Sequence, residues 1–216
     1  MPTATPTIKR KKSSQEKRAR TREQIVEAGL LLLAKNKLSN TSILEVATAA
    51  GVSNGTFYNY FDSKKELVEA VAYHLSDRLA GQLRKHFLGV EDPAERIVIA
   101  ARTFMQQAYQ EPDFGWALLR LMGTLPKLSE IIRLSILFDL RDGQAQGRFR
   151  FSSESAAMDL VLGTLIAGIR SLLEGREQLD HINHISEISL VGLGMPIHDA
   201  QKIVAELNPA RPAKLI

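Results

Sequence analysis

Gly55, Thr56, Tyr58 and Asn59 form the most informative short stretch in this sequence of 216 residues. At 100° per residue, Phe57 and Phe61 fall about 40° apart on a helical wheel and define an apolar face; the other four lie opposite it. That opposite face is small or hydrogen-bonding and carries no acidic group. Asn59 and Thr56 can bond base edges in a major groove, asparagine being suited to adenine. Gly55 lets a backbone come close to a polyanion, and the hydroxyls of Tyr58 and Tyr60 can reach phosphates. Ser53 and Asn54 open the same helix. Lys64, in the first turn of the next helix, adds a cation beside outward-pointing N–H groups. The chemistry these residues imply is recognition of double-stranded DNA.

Charge agrees with it. The net charge is +4, but residues 1–65 hold 12 Lys and Arg against 5 Asp and Glu, whereas the remainder holds 16 against 19. A basic N-terminal third on a slightly acidic body points to a polyanionic partner for that third. A solvated basic tail without a partner would give the same counts.

The elements that must position these residues are helices. Residues 1–12, with Lys9, Arg10, Lys11 and Lys12, are expected to form a flexible basic arm. Ser13 and Glu16 have capping-box spacing and open an amphipathic helix to about residue 36, with Ile25, Gly29, Leu32 and Leu33 at helical spacing. Ser42 with Glu45 opens a second, short helix that Gly51 ends. Ser53 caps a third, and Ser63 with Glu66 opens a long helix over 63–87. Two short helices joined by a tight glycine turn form the helix-turn-helix pattern. Beyond it, helices are expected at 92–110, 113–123, 127–146, 153–174, 184–193 and 197–207. The alternating stretch 147–151 is short and alone, so it reads as a loop. The fold is expected to be all-α: an arm over 1–12, a DNA-binding domain over 13–66, a larger helical domain over 67–207 and a frayed tail over 208–216.

The run from Thr41 to Leu67 closely resembles the DNA-binding signature of the TetR family of bacterial transcriptional regulators. Ala50-Gly51-Val52-Ser53, Gly55, Tyr58, Tyr60-Phe61 and Ser63-Lys64 carry the resemblance, which covers roughly residues 15–70. One departure is that Ile43 and Leu44 stand where many members are polar, leaving Ser42 as the contact from the start of the second helix. The resemblance implies a homodimer with an N-terminal three-helix DNA-binding domain and a larger helical domain holding a ligand pocket and the dimer interface. Members are usually repressors released by a small molecule. The expected partners are therefore an operator duplex, a second copy and an unidentified small-molecule effector, with no membrane and a cytoplasmic location.

Within the body, the segment 156–173 is the candidate dimer surface. Gly163, Ala167 and Gly168 put small residues on one side, and Leu160 and Leu172 add apolar area. The partner helix is 184–193 or 197–207. Phe104, Met105, Tyr109, Trp116, Leu119, Arg120, Met122 and Phe138 form a methionine- and aromatic-rich set suited to an apolar cavity. The same set would serve as an ordinary helical core.

Other classes are excluded or disfavoured. There is no cysteine, so disulfides and thiolate metal sites are out. No nucleophile elbow or glycine-rich phosphate loop occurs, and His181 with His184 lack a convincing third ligand, so neither catalysis nor a cofactor or metal is expected. The longest uncharged apolar run, 160–169, is short of the roughly 20 residues a bilayer requires. Two functions remain: a ligand-released repressor on a palindromic operator, or a ligand-independent architectural DNA-binding protein whose body only dimerises.

Overall fold

A computed structural model describes the backbone of residues 6–35, 41–124 and 126–208, with side chains outside 6–14, 123–129 and 131. The described residues form ten helices and no strand: α1 (Pro6–Ala34), α2 (Ile43–Ala49), α3 (Asn54–Tyr58), α4 (Lys64–His86), α5 (Pro93–Gln110), α6 (Pro112–Thr124), α7 (Pro126–Ala145), α8 (Glu154–Leu173), α9 (His181–Gly192) and α10 (Ile197–Glu206). The all-α expectation is met. The chain divides into two compact units, residues 1–74 and 75–216, and the division falls inside α4.

α1 corrects the expected arm. It starts at Pro6, not at Ser13, so residues 6–12 are the first turns of a continuous helix of 29 residues. Proline at the first helical position is preset for a helix, and the lysines and arginine that follow are good helix formers with no breaker among them. A capping-box spacing at Ser13 cannot start a helix that is already running. The expected tail lies, from residue 209 on, outside the described residues.

In the first unit, Ile25, Val26, Leu30, Val46, Phe57, Phe61, Leu67 and Val71 are buried together with Ala47. Gly29 is needed where α1 meets α4. A Cβ there would sit 3.1 Å from Leu67 and Val71, tighter than side chains normally pack.

In the second unit α5 is the central element, packed against α6, α7, α8, α9 and α10. Its start is firmly set: Asp92 accepts from the Ala94 N–H at 2.8 Å, Pro93 occupies the first turn, and Arg148 donates to Asp92 Oδ2 at 2.6 Å. One core cluster joins Ile97 and Val98 of α5 to Leu140, Phe149, Met158, Val161, Leu190 and Ile203. The stretch 147–151 is a loop, pinned by the Arg150 N–H to the Leu193 carbonyl at 2.8 Å. By length and composition α8 could cross a membrane, but here it packs on α5, α6, α7 and α9 and buries Met158, Val161, Leu165 and Ile169, as a core helix does.

Packing at Gly143 sets a test. A Cβ there would lie 2.0 Å from the ring of Phe149, which is itself buried. Gly143→Ala is expected to destabilise by about 1–3 kcal/mol through overpacking. Gly81→Ala, where the nearest atom is an ordinary contact at 3.7 Å, should instead stabilise by up to about 1 kcal/mol through helix propensity. Urea unfolding of both variants gives the comparison.

Candidate nucleic-acid interface and internal cavity

The face opposite Phe57 and Phe61 is built by capping. Ser42 Oγ accepts from the Glu45 N–H at 3.2 Å, and Glu45 Oε2 accepts from the Ser42 N–H at 2.6 Å and its hydroxyl at 2.7 Å. These bonds hold the Glu45 carboxyl below its usual range. Gly51 takes φ +68, turning α2 into α3. Ser53 then caps α3, accepting from the Thr56 N–H at 3.0 Å. α3 is a short helix, but its turn continues: the Phe61 N–H reaches the Phe57 carbonyl at 3.1 Å, and both rings are buried.

What remains outward is a cluster of polar groups on a rigid base. Ser53, Asn54, Gly55, Tyr58 and Asn59 are exposed, and Thr56, Tyr60 and Lys64 are half-buried. A Cβ at Gly55 would meet nothing nearer than Ser53 Oγ at 3.9 Å, so no internal contact requires glycine there. Four candidates are already engaged within the protein. Thr56 Oγ1 pairs with Ser53 Oγ at 2.8 Å, Ser42 is committed to its capping box, and Lys64 Nζ donates to the Thr41 carbonyl at 2.9 Å. Lys64 thus ties the start of α4 to the start of α2. The side chains of Lys9, Arg10, Lys11 and Lys12 lie outside the described residues.

The sequence reading missed Arg18. Its guanidinium lies over the Tyr60 ring at 5.8 Å, and Arg22, one turn on, lies over Phe61 at 5.2 Å. The i, i+4 arginine pair on one face of α1 was the available signal. The aromatic rings after α3 therefore hold α1 cations beside the exposed face.

The second unit contains a partly open cavity of about 180 Å³. It lies where three helices present the same i, i+3, i+4, i+7 stripe: Ser76, Leu79, Ala80 and Leu83 of α4; Ile97, Ala100, Ala101 and Phe104 of α5; Ile132, Ser135, Ile136 and Asp139 of α7. α8 and α9 close it with Thr164, Leu165, Ile185, Ser186 and Ser189 among others. Of the eight pocket residues expected from sequence, Phe104 alone lines it. Met105 is on the adjacent face of α5, fully buried where a Cβ on Gly168 would come within 2.7 Å of its methyl. Tyr109 and Phe138 are exposed. Arg120 stacks on Trp116 at 5.2 Å, and Leu119 and Met122 are half-buried outside the lining. Large side chains fill the spaces they meet. The void is left where alanines and serines of three helices face one another.

Asp139 is the one ionisable side chain among the described lining residues. It is 5% exposed, and its Oδ1 accepts from Arg96 Nε at 2.6 Å. Burial pushes its pKa up against the pull of Arg96. The same guanidinium donates to Asp142 and to the Glu91 carbonyl at 2.7 Å. Burial works to lower the Arg96 pKa, but its hydrogen bonds to both carboxylates outweigh that and raise it. Arg102 is buried away from the cavity, bonded to Asn183 Oδ1 at 2.6 Å and the Val204 carbonyl at 3.1 Å, and burial lowers its pKa.

The expected dimer surface needs partial correction. Gly168 and Leu172 are buried within the protomer, and Leu160 packs toward Gly192, whose added Cβ would lie 2.5 Å from it. Gly163 and Ala167 are exposed, and a Cβ on Gly163 would meet nothing within 4 Å. The small-residue stripe of α8 thus has two sides, one turned inward for helix packing and one outward.

Comparison with known proteins places both units. The family described as bacterial regulatory proteins, tetR family, matches residues 25–71, and the tetracyclin repressor-like C-terminal domain matches residues 92–206. An uncharacterized HTH-type transcriptional regulator of Mycobacterium tuberculosis is 29% identical over 90 residues, 42% of this chain and 45% of that protein, so the chain spans under half the length of that relative. The crystal structure of RolR in complex with resorcinol superposes with a TM-score of 0.66 at 25% identity, covering 90% of this chain and 98% of that one. FadR from Bacillus subtilis, in complex with stearoyl-CoA, shares the fold with a TM-score of 0.68 at 18% identity, covering 79% and 98%.

The Arg96 cluster yields a prediction. Arg96→Leu leaves Asp139 buried without its cation, and loss of one partner of a buried pair typically costs about 3–5 kcal/mol. Because burial already raises the Asp139 pKa, the folded variant should bind a proton more readily than the unfolded chain. Its deficit should be largest at neutral pH and shrink as pH falls through the raised value. Denaturant unfolding at several pH values measures this, and a pH-independent deficit contradicts it.

Proposed function

Because this chain belongs to the TetR family of bacterial transcriptional regulators, we propose that it is a repressor that binds a palindromic operator as a homodimer and is released by a small, mostly apolar molecule. The carrying observation is the exposed face of α3. Asn54, Gly55, Tyr58 and Asn59 stand clear of the protein on a base of buried phenylalanines, with Arg18 held over Tyr60 beside them. In this reading Asn59 and Tyr58 contact the duplex directly, Gly55 allows close approach, and Ser53 and Thr56 shape the helix start. The N-terminal turns of α1, with Lys9 to Lys12, supply phosphate attraction along with Arg18. Lys64 and Ser42 act by holding α2 and α4 in register.

A second copy would be met by α8 and α9. Their exposed residues Gly163 and Ala167, with Ile188 and Val191, make adjacent small and apolar surfaces on two packed helices. A cavity of about 180 Å³ favours a ligand-responsive regulator over a purely architectural one. An engineered apolar cavity of about 150 Å³ holds benzene, so the space suits a single-ring molecule, in keeping with resorcinol in RolR.

The direct test is protection of a defined palindrome in DNA flanking the protein's own gene, and its release by small lipophilic compounds. Two variants make it specific. Asn59→Ala should lower operator affinity by about 1–3 kcal/mol while leaving random-sequence DNA nearly unaffected. Gly55→Ala should fold as well as the parent or slightly better, yet bind the operator more weakly; unchanged binding would show that DNA does not approach this turn. For assembly, Ala167→Glu should yield folded monomers in sedimentation, because it places a charge on an exposed face and leaves the protomer core untouched.

A further inference from the structure

We infer that the cavity selects a neutral, ring-sized molecule bearing a hydrogen-bond donor, of the phenol or alcohol class, whose hydroxyl meets Asp139. This deepens, and rests on, the reading of the cavity as the effector site. Its walls supply acceptors and few donors. Ser186 donates its hydroxyl to the Ile182 carbonyl at 2.8 Å, Ser189 to the Ile185 carbonyl at 2.8 Å, and Thr164 to the Leu160 carbonyl at 2.8 Å. A hydroxyl has one hydrogen to give, and Thr164 and Ser189 also bond each other at 2.9 Å, so the hydrogens of these three hydroxyls are largely committed within the wall. The Asp139 carboxylate accepts and, when ionised, cannot donate.

Charge narrows the class further. No lysine, arginine or histidine is among the described lining residues, and the one guanidinium nearby, Arg96, is shared between Asp139 and Asp142. A ligand carboxylate or phosphate would be buried against the Asp139 carboxylate with no cation of its own among the described lining residues. A ligand ammonium would have to give up its water against a carboxylate that already accepts from Arg96. A neutral hydroxyl escapes both penalties and can donate its hydrogen to the Asp139 carboxylate. Apart from Ser76 and Ser135 the remaining described lining is apolar, so a plain hydrocarbon would fit by shape but would add no hydrogen bond to Asp139 beyond the one from Arg96.

The experiment is calorimetric titration of the full chain with phenol, toluene, benzoate and benzylamine, followed by phenol and toluene on Asp139→Leu and Ala101→Phe. Expected are phenol affinity at least about tenfold above the other three, loss of the phenol-over-toluene preference in Asp139→Leu, and loss of both ligands when Ala101→Phe fills the space. Toluene binding as tightly as phenol, or tighter binding of benzoate or benzylamine, overturns the donor requirement while leaving a ligand cavity standing. Phenol binding that survives Ala101→Phe places the site elsewhere and overturns the inference. If no probe binds at saturating concentration, the effector-site reading falls with it. Should Asp139→Leu fail to fold, the ranking of the four probes on the parent protein decides.

Discussion

Arg96 is the residue on which the second unit turns. One guanidinium holds Asp139 and Asp142 of α7, the carbonyls of Val90 and Glu91 just before α5, and the exposed ring of Phe138 at 5.6 Å. With five donors in a rigid fork, arginine suits such a junction, where a lysine would offer one point charge. The ion pair is costly to desolvate and is retained because every neighbour shares in it. Its carboxylate end opens into the cavity, and its carbonyl end grips the segment that follows α4. A change in what Asp139 contacts is therefore a change in what holds the α4–α5 connection.

Small residues serve three opposed purposes in this protein, and burial distinguishes them. Gly29, Gly143 and Gly168 are small because another chain segment presses against them. Ala80, Ala100 and Ala101 are small where nothing presses, and their facing stripes leave the cavity. Gly55 and Gly163 are small on open surface, where the protein itself has no use for the space. Of the three, this last kind faces open space, and the two positions lie where DNA and a second copy are proposed to sit.

These distinctions explain what could be read from sequence. The helix-turn-helix was legible because its determinants are local: capping residues three apart, a glycine at the turn, and two phenylalanines one turn apart. Helix starts at Asp92 and Ser153 were legible for the same reason. The cavity was not, because a void depends on which faces of α4, α5, α7, α8 and α9 converge, and residues as far apart as Ser76 and Ser189 line it. Choosing aromatic and methionine residues selected the groups that fill space. Phe104 belongs to the lining and Met105 to the core because one residue is a 100° rotation on a helix. Gly168 was misread for the same cause, since a stripe of small residues does not announce which neighbour it faces. The start of α1 was misplaced because a good capping sequence at Ser13 was preferred over an equally permissible one at Pro6.

α4 is the element within which the two units divide. It is a single helix of 23 residues, about 35 Å at 1.5 Å per residue. Its first half contributes Leu67 and Val71 to the core of the first unit, closely packed against Gly29. Its second half lines the cavity with Leu79, Ala80 and Leu83. That half is tied to its own unit by Arg78 to Glu111 at 2.7 Å, Gln82 to Gln107 at 2.5 Å and His86 with Thr103 at 3.0 Å. A ligand that binds the cavity equally well in every position of α4 would shift nothing, however tightly it binds. For binding to be felt at α3, the occupied cavity must favour one placement of residues 76–83 over another, and the preference must equal the loss in DNA affinity. The polar ties from α4 to Thr103 and Gln107 of α5 and to its cap Glu111 set how far that placement can change before hydrogen bonds break.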